Sequence, residues 1–172
     1  KDLGGKDGGN LAMAVIREHL ATKGLGLHND LQNEHSIVGN NVGVLLMAEY
    51  GSAEQKEEWL PLMLEGKRGF AFGITEPAHG SDATHMETNA VRDGDGWKIN
   101  GAKTWNTGIH KAQYDMVMAR TSGKAGDGDG ITAFLTPLDA EGAKIEEFLW
   151  TFNMPTDHGT VSFKDVYVDN SA

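Results

Sequence analysis

Gly73-Ile74-Thr75-Glu76-Pro77-Ala78-His79-Gly80-Ser81-Asp82 is the stretch on which the reading of this chain turns. It follows Phe70-Ala71-Phe72, an apolar run that reads as a strand, and at Thr75 it breaks into turn-forming and hydrogen-bonding residues. Pro77 fixes its own φ and pushes Glu76 towards an extended conformation. Gly80 can take backbone angles barred to other residues and has no side chain to hold a ligand away. Thr75 and Ser81 place hydroxyls on either side of the bend, each able to donate and to accept. A strand end followed by a bent, hydroxyl-bearing loop with free backbone N–H groups suits an anionic or heteroaromatic ligand. Many strand-to-loop turns share this composition and bind nothing, so composition alone selects no function.

Three further stretches narrow the reading. Arg92-Asp93-Gly94-Asp95-Gly96-Trp97 carries an Asp-Gly hairpin signal. Asn100-Gly101-Ala102-Lys103-Thr104-Trp105-Asn106-Thr107-Gly108 follows it, and Gly51-Ser52-Ala53-Glu54-Gln55-Lys56 stands upstream. In this order and spacing they resemble the acyl-CoA dehydrogenase family. Its members carry a T-E-P-x-x-G-S-D loop, a Gly-Asp-rich hairpin, then N-G-x-K-x-W and a short polar turn. The resemblance covers nearly the whole chain. One departure is Asn106-Thr107-Gly108, where the family more often has an aliphatic residue and then Thr-Asn; Thr107 still falls at the matching offset.

Outward from these motifs, residues 10 to 68 read as helical. Asn10 is a good N-cap, and Ala12, Met13, Ile16 and Leu20 recur at helical spacing until Gly24 and Gly26. Leu27 to Leu31 reads as a loop. A second helix is expected from about Ser36 to Tyr50, weakened by Gly39 and Gly43. Ser52 with Gln55 forms a capping-box signal for a third, which Pro61 should interrupt or restart. From Gly69, short β-branched and aromatic runs alternate with Gly-Asp turns. Strands are expected at Thr88 to Arg92, Trp97 to Asn100, Tyr114 to Thr121, Gly130 to Thr136, Lys144 to Leu149 and Thr160 to Val168. The fold class is therefore α+β. Residues 1–68 form a helical segment, the end of an N-terminal helical domain, and residues 69–172 an antiparallel sandwich or barrel.

The 172 residues carry a net charge of −10, which argues against a nucleic-acid partner and against an anionic membrane surface. With no cysteine there is no disulfide, thiolate metal site or cysteine nucleophile. His19, His28 and His35 lack the i,i+4 spacing of a metal pair, and no metal is expected. No apolar run approaches the roughly 18 residues needed to span a bilayer. The chain opens on Lys1-Asp2-Leu3-Gly4-Gly5 without a Met and ends just after a strand, and it reads as a piece of a longer protein.

The resemblance implies a flavoprotein oxidoreductase of fatty acid metabolism with FAD as cofactor. Phe72, Ile74 and Thr75 would line the flavin ring, and Gly80 and Ser81 would meet the pyrophosphate, Ser81 also touching substrate. Trp105 would pack on the ring system and the Thr107 hydroxyl would reach flavin N5. Read without the motif, Trp105 is a core aromatic, Ser81 and Thr107 are turn residues, and Phe72 and Ile74 are what an alternating strand requires. His79, beside the pyrophosphate, could balance charge or simply face solvent. The resemblance further implies an acyl-CoA substrate, an electron-accepting flavoprotein, a dimer or tetramer when full length, and a cytoplasmic or mitochondrial-matrix location. The family's catalytic glutamate comes from a C-terminal helical domain, so no residue here is assigned as base. Glu76 is a loop-organising residue, and Glu87, Glu146 and Glu147 have no motif support. Such a piece alone should retain little flavin. Trp150 to His158 reads as the loop before the last strand, contacting substrate or serving as a connector. An acyl-CoA oxidase and a non-catalytic FAD or acyl-CoA binding module are the rival readings.

Overall fold

The computed structural model describes residues 3–4, 8–24, 39–150 and 158–172, with 39–42 as backbone only. The loop expected at Leu27 to Leu31, His28, His35 and most of the Trp150–His158 segment lie outside the described residues. Among the described residues three helices come first: α1 (Gly9–Thr22), α2 (Gly39–Tyr50) and α3 (Ala53–Leu64). Seven strands follow: β1 (Phe70–Gly73), β2 (Asn89–Asp93), β3 (Gly96–Thr107), β4 (Tyr114–Arg120), β5 (Ile131–Pro137), β6 (Ala143–Leu149) and β7 (His158–Asp169). Contacts divide the chain into two compact units, 1–50 and 51–172. Among the described residues no helix is long and apolar enough to cross a membrane.

In the first unit α1 begins at Gly9, so Asn10 lies inside the helix rather than capping it, and Gly8 offers no side chain for the purpose. The helix ends where Gly24 turns to positive φ. In the second unit the capping box of α3 is complete: Gln55 N donates to Ser52 Oγ (3.1 Å) and Ser52 N donates to Gln55 Oε1 (2.9 Å). Pro61 does not interrupt α3, contrary to the sequence expectation. Glu57, whose carbonyl loses its partner, and Pro61 are both exposed, so water can take the freed acceptor. Trp59 is buried and meets Phe70 of β1 and, edge-on, Tyr114 of β4, with ring centroids 6.3 and 4.7 Å apart. The Arg68 guanidinium lies 4.8 Å from the Trp59 ring and pairs with Glu58. Helix α3 is thus packed onto the sheet.

The strands make one sheet in the order β1-β4-β2-β3-β7-β6, with β5 paired along the other edge of β4. It is mixed rather than wholly antiparallel: β1 runs parallel to β4 and β2 meets β4 at one parallel bridge, Asn89 to Arg120. The cause is connectivity, because the β2–β3 hairpin intervenes between β1 and β4, which therefore cannot be hairpin neighbours. The hairpin itself closes over Gly94 and Asp95, Asp93 pairing with Gly96 and Gly94 at φ 60°. The sheet curls: just past β1, the Thr75 carbonyl accepts from Thr104 N of β3 at 2.8 Å, although β4 and β2 separate those strands in the order. Inside lie Ala71, Ala90, Ile99, Ile109, Val117, Ala119, Phe134, Val161, Phe163, Val166 and Val168.

Candidate functional site

β3 does not stop at Asn100, where the sequence reading ended the strand; it continues to Thr107 through two irregularities in its pairing with β7. The second falls between Lys103 and Asn106 and holds Trp105 at φ 63°. A bulky residue in the left-handed region costs about 1 kcal/mol or more, so the surroundings impose it. The bulge turns the indole outwards, leaving Trp105 52% exposed while Lys103 and Asn106 on either side are fully buried.

The buried residues beneath the bulge form an ionic and polar group. Lys103 Nζ donates to Glu76 Oε1 at 2.8 Å and to the Ile74 carbonyl at 3.2 Å. Glu76 also accepts from Glu87 N (2.7 Å) and Thr88 N (2.9 Å), which closes the 76–88 segment on itself. Burial would raise the Glu76 carboxyl, but Lys103, the Thr88 side chain and the two amides outweigh it and hold it below its ordinary value. Burial lowers the Lys103 ammonium, and the attraction of Glu76 and Asp115 only partly offsets this. Next to this pair, Asn106 Nδ2 donates to Asp115 Oδ2. Burial pushes Asp115 up to about 7, against the Asn106 amide and the Lys103 charge. Asp115 Oδ1 and Asn106 Oδ1 have no hydrogen-bond partner among the described residues. Gly73 makes room for both, since a Cβ there would lie 2.8 Å from Asp115 Oδ2 and 3.1 Å from Asn106 Nδ2.

On this base stand the residues singled out in the sequence. Phe72 points out of β1 and is 42% exposed, between buried Ala71 and Gly73. Ile74 and Thr75 are half-buried, and Thr75 is tied through its carbonyl to the residue before Trp105. Thr107 Oγ1 lies 2.9 Å from His158 Nδ1, and the Trp105 and His158 rings meet edge-on with centroids 6.3 Å apart. Thr104 and Thr160 add a hydroxyl pair at 3.0 Å between β3 and β7. Thr75, Trp105 and Thr107 are therefore held together at one end of β3.

Gly80 and Ser81 are exposed and reach this group only through the loop; no hydrogen bond joins them to Trp105 or Thr107 among the described residues. The loop is set by a reciprocal pair, Glu76 N to the His79 carbonyl (3.0 Å) and His79 N to the Glu76 carbonyl (3.2 Å). Gly80 does not take positive φ, so its expected conformational role is not used; what it provides is open space, with nothing within 4 Å of a Cβ built there. His79 pairs with Glu87 at 3.3 Å and stacks on His85, which pairs with Asp82 at 2.8 Å. The loop is further tied to residues 122–130 by Arg120, which donates to the carbonyls of Thr84 (2.5 Å), Asp127 (3.2 Å), Ser122 and Asp129 (both 3.3 Å).

Sequence reasoning did not single out Asp115 or Asn106 for this site, and it met His158 only as the last residue of a loop expected to contact substrate or serve as a connector. Asp115 was legible in one respect: it alternates with Val117 and Ala119, the buried face of β4. A cleft of about 600 Å³ lined by Lys67, Arg68, Ala112, Gln113, Tyr114, Leu138 and Asp139 shares no residue with the cluster. No group of three or more His, Asp or Glu side chains able to hold a metal ion occurs among the described residues. The exposed Trp105 and Phe72, the Thr75 and Ser81 hydroxyls and the space over Gly80 fit a flat aromatic ligand with a polar edge and an anionic tail.

Comparison with known proteins identifies the family. Residues 1–67 match the family model of the acyl-CoA dehydrogenase N-terminal domain, and residues 71–166 that of the acyl-CoA dehydrogenase middle domain. The acyl-CoA dehydrogenase FadE29 of Mycobacterium tuberculosis is 39% identical over 116 residues, 67% of this chain and 28% of that protein. The human mitochondrial short-chain specific acyl-CoA dehydrogenase is 32% identical over 145 residues, 84% of this chain and 34% of that protein. Among solved structures, a glutaryl-CoA dehydrogenase from Mycobacterium smegmatis in complex with FADH2 is 35% identical with a TM-score of 0.66, covering 75% of this chain and 32% of that one. The chain thus spans about a third or less of the length of these relatives.

Proposed function

The chain belongs to the acyl-CoA dehydrogenase family, and on that footing we propose that the protein carrying it is an FAD-dependent acyl-CoA dehydrogenase. Residues 1–68 are the end of the N-terminal helical domain and residues 69–172 the middle β-domain. The observation that carries the reading is the clustering of Trp105, Thr107 and Thr75 on one end of β3, around an outward-turned indole. Phe72, Ile74 and Trp105 supply apolar surface for the flavin ring, and Thr75 offers its hydroxyl and amide to the pyrimidine edge. Gly80 admits the pyrophosphate and Ser81 donates to it, with Ser81 also placed to touch the substrate. Thr107 addresses N5. When bound, the flavin supplies the hydride acceptor for α,β-desaturation of a thioester, with an electron-accepting flavoprotein downstream.

The work of the chain is to hold these groups still. The Glu76–Lys103 pair fixes the loop from beneath, and the Thr75–Thr104 bond fixes it to β3. Glu76 is not free to act as base, because Lys103 and two amides occupy its oxygens. We place the base outside residues 1–172. We also take the full-length protein to be a homo-oligomer.

The test is an absorption spectrum of the intact protein, before and after loading with FAD, followed by anaerobic addition of acyl-CoAs of different chain length. A flavin band that bleaches with one class of thioester is the expected result. A protein that takes up no flavin, or binds it and ignores every thioester, would remove the activity. Rapid reoxidation of the bleached protein by air would favour an oxidase instead.

A further inference from the structure

We propose that His158 is a positioning residue that sets the direction of the Thr107 hydroxyl and thereby tunes the flavin bound against it. The proposal rests on the flavin reading above and goes beyond it by naming a residue with which the sequence motif has no concern. Thr107 and His158 are cross-strand partners in the β3–β7 ladder, and His158 is also the partner of Leu149 in β6. Its backbone is therefore held from both sides. Its ring is held as well, by the edge of Trp105.

The Thr107 hydroxyl has one proton and can also accept. Two groups are within reach: the Trp105 carbonyl at 3.4 Å and His158 Nδ1 at 2.9 Å. The carbonyl can only accept, and it is far. The imidazole nitrogen can do either, according to which nitrogen carries the proton. With a proton on Nδ1 the ring donates to Thr107, and the hydroxyl proton is free to be given outwards. With Nδ1 bare, the ring takes the hydroxyl proton and Thr107 presents only lone pairs outwards. These are the two states a hydroxyl facing flavin N5 requires: the oxidised ring has an acceptor there, and the reduced ring an N–H donor. A threonine whose only neighbour was a carbonyl could be held in one sense only, giving its proton to that carbonyl and presenting lone pairs outwards. His158 supplies a partner at 2.9 Å that serves both.

The test uses the intact, FAD-loaded protein and a two-by-two set of variants: parent, His158→Phe, Thr107→Val and the double variant. His158→Asn is added because its carboxamide can put a donor or an acceptor near the place of Nδ1. The readouts are the visible spectrum of the bound flavin and the equilibrium between its oxidised and reduced forms. Without the imidazole the remaining partner of the hydroxyl is the Trp105 carbonyl, so support is lost for the oxidised form and kept for the reduced one. One hydrogen bond lost on one side only corresponds to a change of about tenfold in that equilibrium, or about 30 mV for a two-electron couple. His158→Phe, which keeps a ring against Trp105, is expected to shift the equilibrium by this amount, and His158→Asn to restore most of it. In the Thr107→Val background His158→Phe is expected to shift nothing further. An unchanged equilibrium in His158→Phe, or the same shift with and without the Thr107 hydroxyl, would overturn the proposal while leaving flavin binding intact. A parent protein that takes up no FAD would overturn the flavin reading, and this proposal with it.

Discussion

Replacing Asp115 with asparagine should remove a penalty that the folded protein carries at neutral pH. The carboxyl is fully buried, faces the Asn106 amide, and leaves one oxygen without a hydrogen-bond partner among the described residues. Burial moves it from its ordinary 3.8 up to about 7. The folded protein keeps this proton where the unfolded chain has released it. Between pH 3.8 and about 7 it therefore binds more protons than the unfolded chain, and stability falls as pH rises through that window. At about 1.4 kcal/mol per pH unit, the interval from 3.8 to about 7 gives a full loss of about 4 kcal/mol, complete above pH 7 and absent below the unfolded value. Asparagine has nearly the same shape, so the narrow space over Gly73 is respected, and it keeps an acceptor for the Asn106 amide without charge at any pH. The assay is urea unfolding of parent and variant at about pH 4.5, 6 and 7.5. The stability difference in favour of the variant should grow by about 3 kcal/mol across that range, because titrations common to both proteins cancel. A difference that stays flat would refute the claim that Asp115 holds its proton in the folded state.

Other perturbations address the neighbouring groups. Lys103→Met leaves the Glu76 carboxylate buried without its cation and should cost about 3–5 kcal/mol in urea unfolding. Glu76 itself gives the opposite pH trend from Asp115: its carboxyl is held below its ordinary 4.5, so its contribution is present above that value and declines as pH falls through the lowered folded value. Glu76→Gln should correspondingly flatten the acid limb of the stability profile. Ser52→Ala removes the cap of α3 and should cost about 1 kcal/mol, read as a lowered thermal midpoint. Trp105→Gly relaxes the φ 63° backbone, so stability should hold or rise by up to about 1 kcal/mol while FAD retention on purification falls. A loss of stability with flavin retained would make Trp105 a structural residue.

Much of the architecture was legible because local chemistry decided it. The Ser52–Gln55 box, the Asp-Gly hairpin and the seven strands each follow from residues close in sequence. What was not legible depends on residues far apart. The parallel β1–β4 pairing, and the bulge that carries β3 through Trp105 to Thr107, follow from how the curled sheet closes. The motif singled out Trp105 and Thr107, but no periodicity gives a tryptophan a left-handed backbone. The ions beneath are a similar case. An aspartate in β4 and a lysine in β3 read as polar residues of a strand, and only the closed sheet turns both fully inwards. Pro61 shows the reverse error, a local rule overridden because solvent could take the orphaned carbonyl.

The grip of Arg120 on four carbonyls bears on how this protein tolerates change. A polar, glycine-heavy connector such as residues 122–130 would ordinarily be where a β-domain accepts insertions and where proteases first cut. Here the same guanidinium that gathers Ser122, Asp127 and Asp129 also holds Thr84, three residues from Ser81. Lengthening or nicking the connector would therefore be felt at Ser81, and the surface loop that looks freest to vary is coupled to one that is not.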